Sequence, residues 1–206
     1  MMSRIGVLGG MFDPIHNGHV EAASFARNHL SLDLVKLVPC SLPNHRAEAT
    51  SSAHHRLAML NLALEKHDGL EVDAIEIERE GVSYTADTLE ELAHQNSASQ
   101  LIFVLGLDSF NTLTHWHAWE KLFDLCNFFI LARAGSQINS DISETINLSE
   151  RLSESSDDFF MHSSGKILLA KEFSNDLSSS KVRSELVKGA DLSSSLDHAV
   201  YSYIKQ

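Results

Sequence analysis

Short apolar runs, separated by stretches with helical spacing, set the rhythm of this chain. Residues 5–8 (Ile-Gly-Val-Leu) predict a short buried strand. Residues 34–39 (Leu-Val-Lys-Leu-Val-Pro), rich in Val and Leu and closed by proline, predict a second. A weaker alternation over 72–78 (Val72, Ala74, then Ile75 and Ile77) predicts another. The run 101–106 (Leu-Ile-Phe-Val-Leu-Gly) is the strongest strand signal, and 128–132 and 166–170 add two more. Helical spacing occupies the intervals. It covers 20–30, then 53–67 with Leu57, Leu60, Ala63 and Leu64 on one face, and 86–95 with Asp87 and Glu90 early in it. A further helix begins after Ser178, which stands at the N-cap of an amphipathic Lys181-Val182-Arg183-Ser184-Glu185-Leu186 segment. Strands alternating with helices predict a parallel α/β sheet with ligands at the C-terminal ends of its strands.

One segment breaks the alternation. Residues 136–164 are polar and rich in Ser, Asp and Glu. They read as an insertion with a helix over 142–152, flanked by flexible loops and carrying nothing catalytic. The run Ser193-Ser194-Ser195 reads as linker.

Composition bounds the picture. At 206 residues and 43% apolar content the chain can bury one substantial core, so one domain over 1–206 is expected. A net charge of −12 argues against nonspecific nucleic-acid binding, which selects basic faces. A nucleotide can still bind in a locally basic pocket. The two cysteines, Cys40 and Cys126, lack C-x-x-C spacing and read as reduced thiols. Most of the twelve histidines (His29, His54, His55, His67, His94 and His198 among them) are scattered, and none shows a zinc spacing, so no protein-held metal is expected. No run of 18 apolar residues and no room for a signal peptide before the first strand predict a cytoplasmic protein without a membrane span.

The chemistry concentrates after the first strand, in Gly9-Gly10-Met11-Phe12-Asp13-Pro14-Ile15-His16-Asn17-Gly18-His19. Glycines without a Cβ let backbone approach a bulky anion. A helix N-terminus beyond them offers free N–H groups and a positive dipole end. His16 and His19, three residues apart, share one helical face. The arrangement suits phosphate handling by paired imidazoles, and it is neither G-x-x-x-x-G-K-[ST] nor G-x-G-x-x-G. Imidazoles bonded to the oxygens of a transferring phosphoryl group stabilise the transition state without a covalent intermediate. Near the other end, Ser178-Ser179-Ser180-Lys181-Val182-Arg183 places hydroxyls and N–H groups at a helix start with a guanidinium one turn inside, suited to a triphosphate tail.

The first motif resembles the H-x-G-H signature of the nucleotidylyltransferase superfamily, and residues 177–183 resemble its late I-S-S-[ST]-x-[IV]-R motif with Leu177 for isoleucine. The resemblance is closest to bacterial nicotinate-nucleotide adenylyltransferases. It is carried also by Pro43-Asn44-His45-Arg46, Ser83-Tyr84-Thr85-Ala86-Asp87-Thr88-Leu89, and Gly106-Leu107-Asp108-Ser109-Phe110 with Trp116 downstream. It implies a Rossmann-like parallel sheet with helices on both faces, and transfer of AMP from ATP to nicotinate mononucleotide, with Mg²⁺ accompanying ATP. It further implies catalysis by His16 and His19, and ATP contacts from Gly9, Gly10, Gly106, Ser179, Ser180 and Arg183. His45 and Arg46 would reach phosphates, and Asp108 the ribose hydroxyls. Trp116 would stack on the pyridine ring, Thr85 and backbone near Trp116 and His117 would meet its carboxylate, and Arg133 the mononucleotide phosphate.

Three positions depart from the family pattern. Met11 replaces the usual Thr or Ser, Ala134 the proline of Arg-Pro-Gly, and Asn44 the second proline of Pro-Pro. Nicotinamide mononucleotide or a pantetheine phosphate as acceptor, and a nucleotide-binding regulator without turnover, remain the alternatives. The oligomeric state, homo-oligomers included, is open.

Overall fold

A computed structural model describes residues 2–43, 49–132 and 135–206. In chain order its elements are β1 (Ser3–Gly10), α1 (Asn17–His29), β2 (Leu34–Pro39), β3 (Leu42–Pro43), α2 (Ala53–Leu64), β4 (Leu70–Val72) and α3 (Ile75–Arg79). There follow β5 (Val82–Ser83), α4 (Thr85–Gln95), β6 (Ser99–Gly106), α5 (Leu107–Phe110), α6 (Trp119–Leu125) and β7 (Asn127–Leu131). The chain ends through α7 (Ser140–Thr145), α8 (Leu148–Arg151), α9 (Ser156–Phe160), β8 (Ile167–Ala170), α10 (Ser179–Val187) and α11 (His198–Ile204).

The main sheet runs β4-β2-β1-β6-β7-β8, and its neighbouring strands all pair in parallel. Its period-2 pattern divides the apolar residues between two cores. Leu101, Phe103 and Leu105 of β6 join Phe128 and Ile130 of β7 on one face, covered by residues of α3, α4, α6 and α7. Ile102, Val104, Phe129 and Leu168 face the other way, toward α1, α2, α10 and α11. Burial on both faces explains why these strands read as continuous apolar runs. Chain order reverses between β1 and β6. The first half of the chain builds outward from β1 through β2 to β4, the second from β6 through β7 to β8. Such a reversal opens a crevice beyond the strands' C-terminal ends, and the glycines Gly9, Gly10 and Gly106 stand there.

Two expectations need correction. The alternation over 72–78 is not a strand: β4 stops at Val72 and α3 begins at Ile75. Asp73 makes the break, because its carboxylate accepts the Ile75 N–H at 3.1 Å and pairs with Lys36 at 2.7 Å, a side-chain turn that competes with the ladder. Adjacent Ile75 and Glu76 are then both buried, which no strand with one buried face allows. The linker assigned to residues 193–195 is also wrong. The carbonyls of Ser194 and Ser195 accept Asn17 Nδ2 at 3.0 Å and Asn17 N at 2.9 Å, so this turn secures the start of α1.

The 136–164 segment is helical, but its helix is split. Asn147, at φ 52°, separates α7 from α8. Ile142 and Ile146 enter one core and Phe159 the other, while Ser153 N donates to Ile167 O at 2.8 Å. The segment thus covers the edge of β8.

Candidate active site

A cleft of about 660 Å³ opens at the β1/β6 reversal. Gly9, Gly10, His16, His19, Thr85, Gly106, Asp108, Trp116, Ser179, Ser180 and Arg183 all line it. Gly10 is needed where it stands, because a Cβ there would meet the Phe12 ring at 2.9 Å.

His16 is the N-cap residue of α1, in extended conformation. Its backbone N–H donates to His19 Nδ1 at 3.3 Å. That bond makes Nδ1 of a neutral His19 the acceptor and leaves Nε2 as the ring's donor. The two rings stack at 3.7 Å with planes 23° apart, and Phe12 presents its ring edgewise to His19 at 5.0 Å. Burial pushes the His16 imidazole down to about 4. Burial first, then His16 alongside, hold His19 well below 6.5. Both rings are therefore neutral at pH 7. Among the described residues His16 Nδ1 is buried without a hydrogen-bond partner, an unpaired polar atom in a residue that lines the cleft.

The late motif docks directly onto the turn of the early one. Ser178 caps α10 by accepting the Lys181 N–H at 3.3 Å. Ser179 Oγ donates to Pro14 O at 3.1 Å, and Arg183 Nη1 donates to Asp13 O at 2.5 Å, with Asp13 Oδ2 at 3.9 Å. The N-terminus of α10, with its free N–H groups, thereby shares a cleft wall with the stacked imidazoles. Asn175 adds a second tie. It donates to Glu21 at 2.5 Å and accepts the Leu177 N–H at 2.8 Å, lying where any Cβ on Gly18 would sit.

At the opposite wall, Thr85 opens α4 and Trp116 donates through Nε1 to Thr112 Oγ1 at 3.1 Å. The Trp116 ring meets Phe103 edge-on at 6.3 Å. His117 is not among the lining residues; its exposed ring leans on Tyr84 at 4.4 Å. His45, Arg46 and Arg133 lie outside the described residues, as do Asn44 and Ala134. Met11 lines the cleft without a hydroxyl to offer.

Sequence reasoning missed Asp13, Glu76 and Arg56. Asp13 accepts Thr50 N at 2.6 Å and Ser51 N at 3.2 Å. Glu76 lines the cleft and accepts Thr88 Oγ1 at 2.8 Å. Arg56 had a signal: it falls on the same helical stripe as Met59, Leu60 and Ala63, where a surface arginine does not belong.

Among the described residues no three His, Cys, Asp or Glu side chains are grouped to hold a metal ion, and no helix is long and apolar enough to cross a membrane.

The chain matches the family model described as Cytidylyltransferase-like over residues 7–185. It is 38% identical to a protein of Aeromonas hydrophila named probable nicotinate-nucleotide adenylyltransferase, across 98% of this chain and 94% of that one. A namesake from Pseudoalteromonas atlantica is 36% identical across 98% and 92%. Among solved structures, Plasmodium falciparum nicotinic acid mononucleotide adenylyltransferase complexed with NaAD superposes with a TM-score of 0.75, at 21% identity, over 98% of this chain and 94% of its own. At that identity the superposition speaks for the fold.

Proposed function

We propose a function from the premise that this chain belongs to the Cytidylyltransferase-like family and, within it, to the nicotinate-nucleotide adenylyltransferases: it transfers AMP from ATP to nicotinate mononucleotide, forming deamido-NAD and pyrophosphate. The observation that carries the reading is the docking of α10 onto the Asp13-Pro14 turn. It places a serine-capped helix start and a guanidinium in one cleft wall with two neutral, stacked imidazoles.

In this reading a phosphate oxygen of the mononucleotide attacks the α-phosphorus of ATP. The new P–O bond forms as the α–β bridging bond breaks, and pyrophosphate leaves. A phosphate attacker needs no general base, so positioning and charge stabilisation suffice. His19, oriented by the His16 N–H, donates through Nε2 to the α-phosphoryl oxygens as charge builds on them. His16 stacks beneath it, with Nδ1 held for a ligand. Ser179, Ser180, Arg183 and the N-terminal amides of α10 hold the β- and γ-phosphates. Mg²⁺ enters as part of the ATP substrate, its ligands being phosphate oxygens and water. On the acceptor side, Trp116 stacks on the pyridine ring and Thr85 meets its carboxylate. Asp108 reaches ribose hydroxyls, and His45, Arg46 and Arg133 supply phosphate contacts. A cytoplasmic setting fits this chemistry.

The test is His19→Ala. It is expected to lower kcat by about 10²–10³-fold, the usual loss of one preorganised donor to a developing charge, while KM for ATP changes by less than about fivefold. Equal losses in both would assign His19 to ground-state binding and contradict the scheme.

A further inference from the structure

The transfer scheme makes no use of a buried cation. Arg56 of α2 is 1% exposed, on a helix face otherwise given to Met59, Leu60 and Ala63. Placing a guanidinium there is costly, and an apolar side chain would pack the same stripe more cheaply. Among the described residues no carboxylate is hydrogen-bonded to it, and Asp13 and Glu76 act on it only through space. Asp13 is engaged by the Thr50 and Ser51 N–H groups, and Glu76 by Thr88. Instead, Arg56 gathers three backbone carbonyls from three segments. Nη1 donates to Met11 O at 2.9 Å, Nη2 to Ser41 O at 3.2 Å and Nε to Ser51 O at 3.3 Å. A planar fork with fixed donor directions can span them; an ammonium cannot.

The Met11 carbonyl is the informative partner. The residue after it, Phe12, has φ 49°, a left-handed conformation that bulky side chains avoid. Such a turn persists only where its surroundings over-determine it. Arg56 holds the peptide on one side of Phe12, and Asp13 on the other side is held by Thr50, Ser51 and Arg183. The outcome of the turn is that the Phe12 ring, 1% exposed, meets the His19 ring edge-on at 5.0 Å.

We infer that Arg56 is a positioning residue, whose guanidinium fixes the Met11 carbonyl and thereby the left-handed Phe12 turn that supports the His19 ring. The inference rests on the reading above for its consequence in catalysis, but its structural half is independent of turnover.

Arg56→Lys keeps the charge and loses the fork; Arg56→Gln keeps a planar donor without the charge and serves if the lysine variant does not fold. Three measurements on the full chain test the inference. The ring resonances of His19 are expected to shift in the variant, while those of exposed His94 and His67 stay in place. kcat is expected to fall at least about tenfold with little change in KM for ATP, as for other donors displaced from transition-state geometry. In the His19→Ala background the same substitution is expected to cost less than twofold, because its effect passes through that ring. Unmoved His19 signals in a folded variant would overturn the inference, as would kcat losses that multiply independently. Shifted His19 signals with undiminished turnover would leave the positioning role standing and overturn the catalytic reading of His19.

Discussion

Removing His16 is expected to change how the fold responds to acid, by an amount the burial of its ring sets. In the folded chain burial holds this imidazole at about 4, against 6.5 for an ordinary histidine. The unfolded chain therefore binds the proton first as pH falls, and stability rises with pH across the window between the two values. Above pH 6.5 both states are neutral and the term vanishes. Linkage between those two values gives a loss of about 2 kcal/mol at pH 5 and about 3 kcal/mol at pH 4, relative to pH 7.5. Burial and the neighbouring ring depress His19 in the same direction, so the pair makes the site acid-sensitive. Other groups titrate in this range, so the comparison must be differential. Urea unfolding of the wild type and of His16→Gln, followed from pH 7.5 to pH 4.5, isolates the contribution. The wild type is expected to lose about 2.5 kcal/mol more than the variant by the acid end. Parallel curves for the two proteins would show that His16 is not desolvated as the structure has it, and the argument for a neutral imidazole pair would fail with it.

Two further substitutions probe the junction of the motifs. Gly18→Ala would bring a Cβ to 2.5 Å from Asn175 Oδ1, forcing Asn175 off Glu21 and Leu177; losing those bonds costs about 1–2 kcal/mol, read as a lowered unfolding midpoint. Pre-emptive Asn175→Ala is expected to remove most of that penalty, and full additivity would refute the contact. Arg183→Lys keeps the charge and loses the two-pronged contact to Asp13 O and Ser180 Oγ; KM for ATP is expected to rise by roughly tenfold, and an unchanged value in steady-state kinetics would remove Arg183 from the triphosphate site.

The sheet was legible because it is parallel and covered on both faces, so β1, β6, β7 and β8 left continuous apolar runs and β2 one broken only by Lys36. The histidine pair and the serine-capped helix were legible because each is a local pattern, two histidines three residues apart at a helix start and a serine at an N-cap. What the chain concealed was mostly tertiary. Nothing local says that Asp73 turns the backbone before Ile75, since a run of two or three apolar residues fits either period. The backbone carbonyls of Ser194 and Ser195 act on Asn17 from the far end of the chain, and a carbonyl's partner is not written in its side chain. Residues 136–164 read as an insertion because their apolar residues are sparse, yet Ile142, Ile146 and Phe159 divide between the two cores. Arg56 was hidden by the habit of assigning arginines to the surface; its place on an apolar helical stripe was the available clue.

Pyrophosphate release with ATP and Mg²⁺, offering nicotinate mononucleotide and its amide side by side, tests the central claim most directly. The account predicts release with the acid and a preference for it over the amide. Preference for the amide would keep adenylyl transfer but contradict the carboxylate site assigned to Thr85 and the Trp116 loop. No release with either would contradict the proposed activity itself.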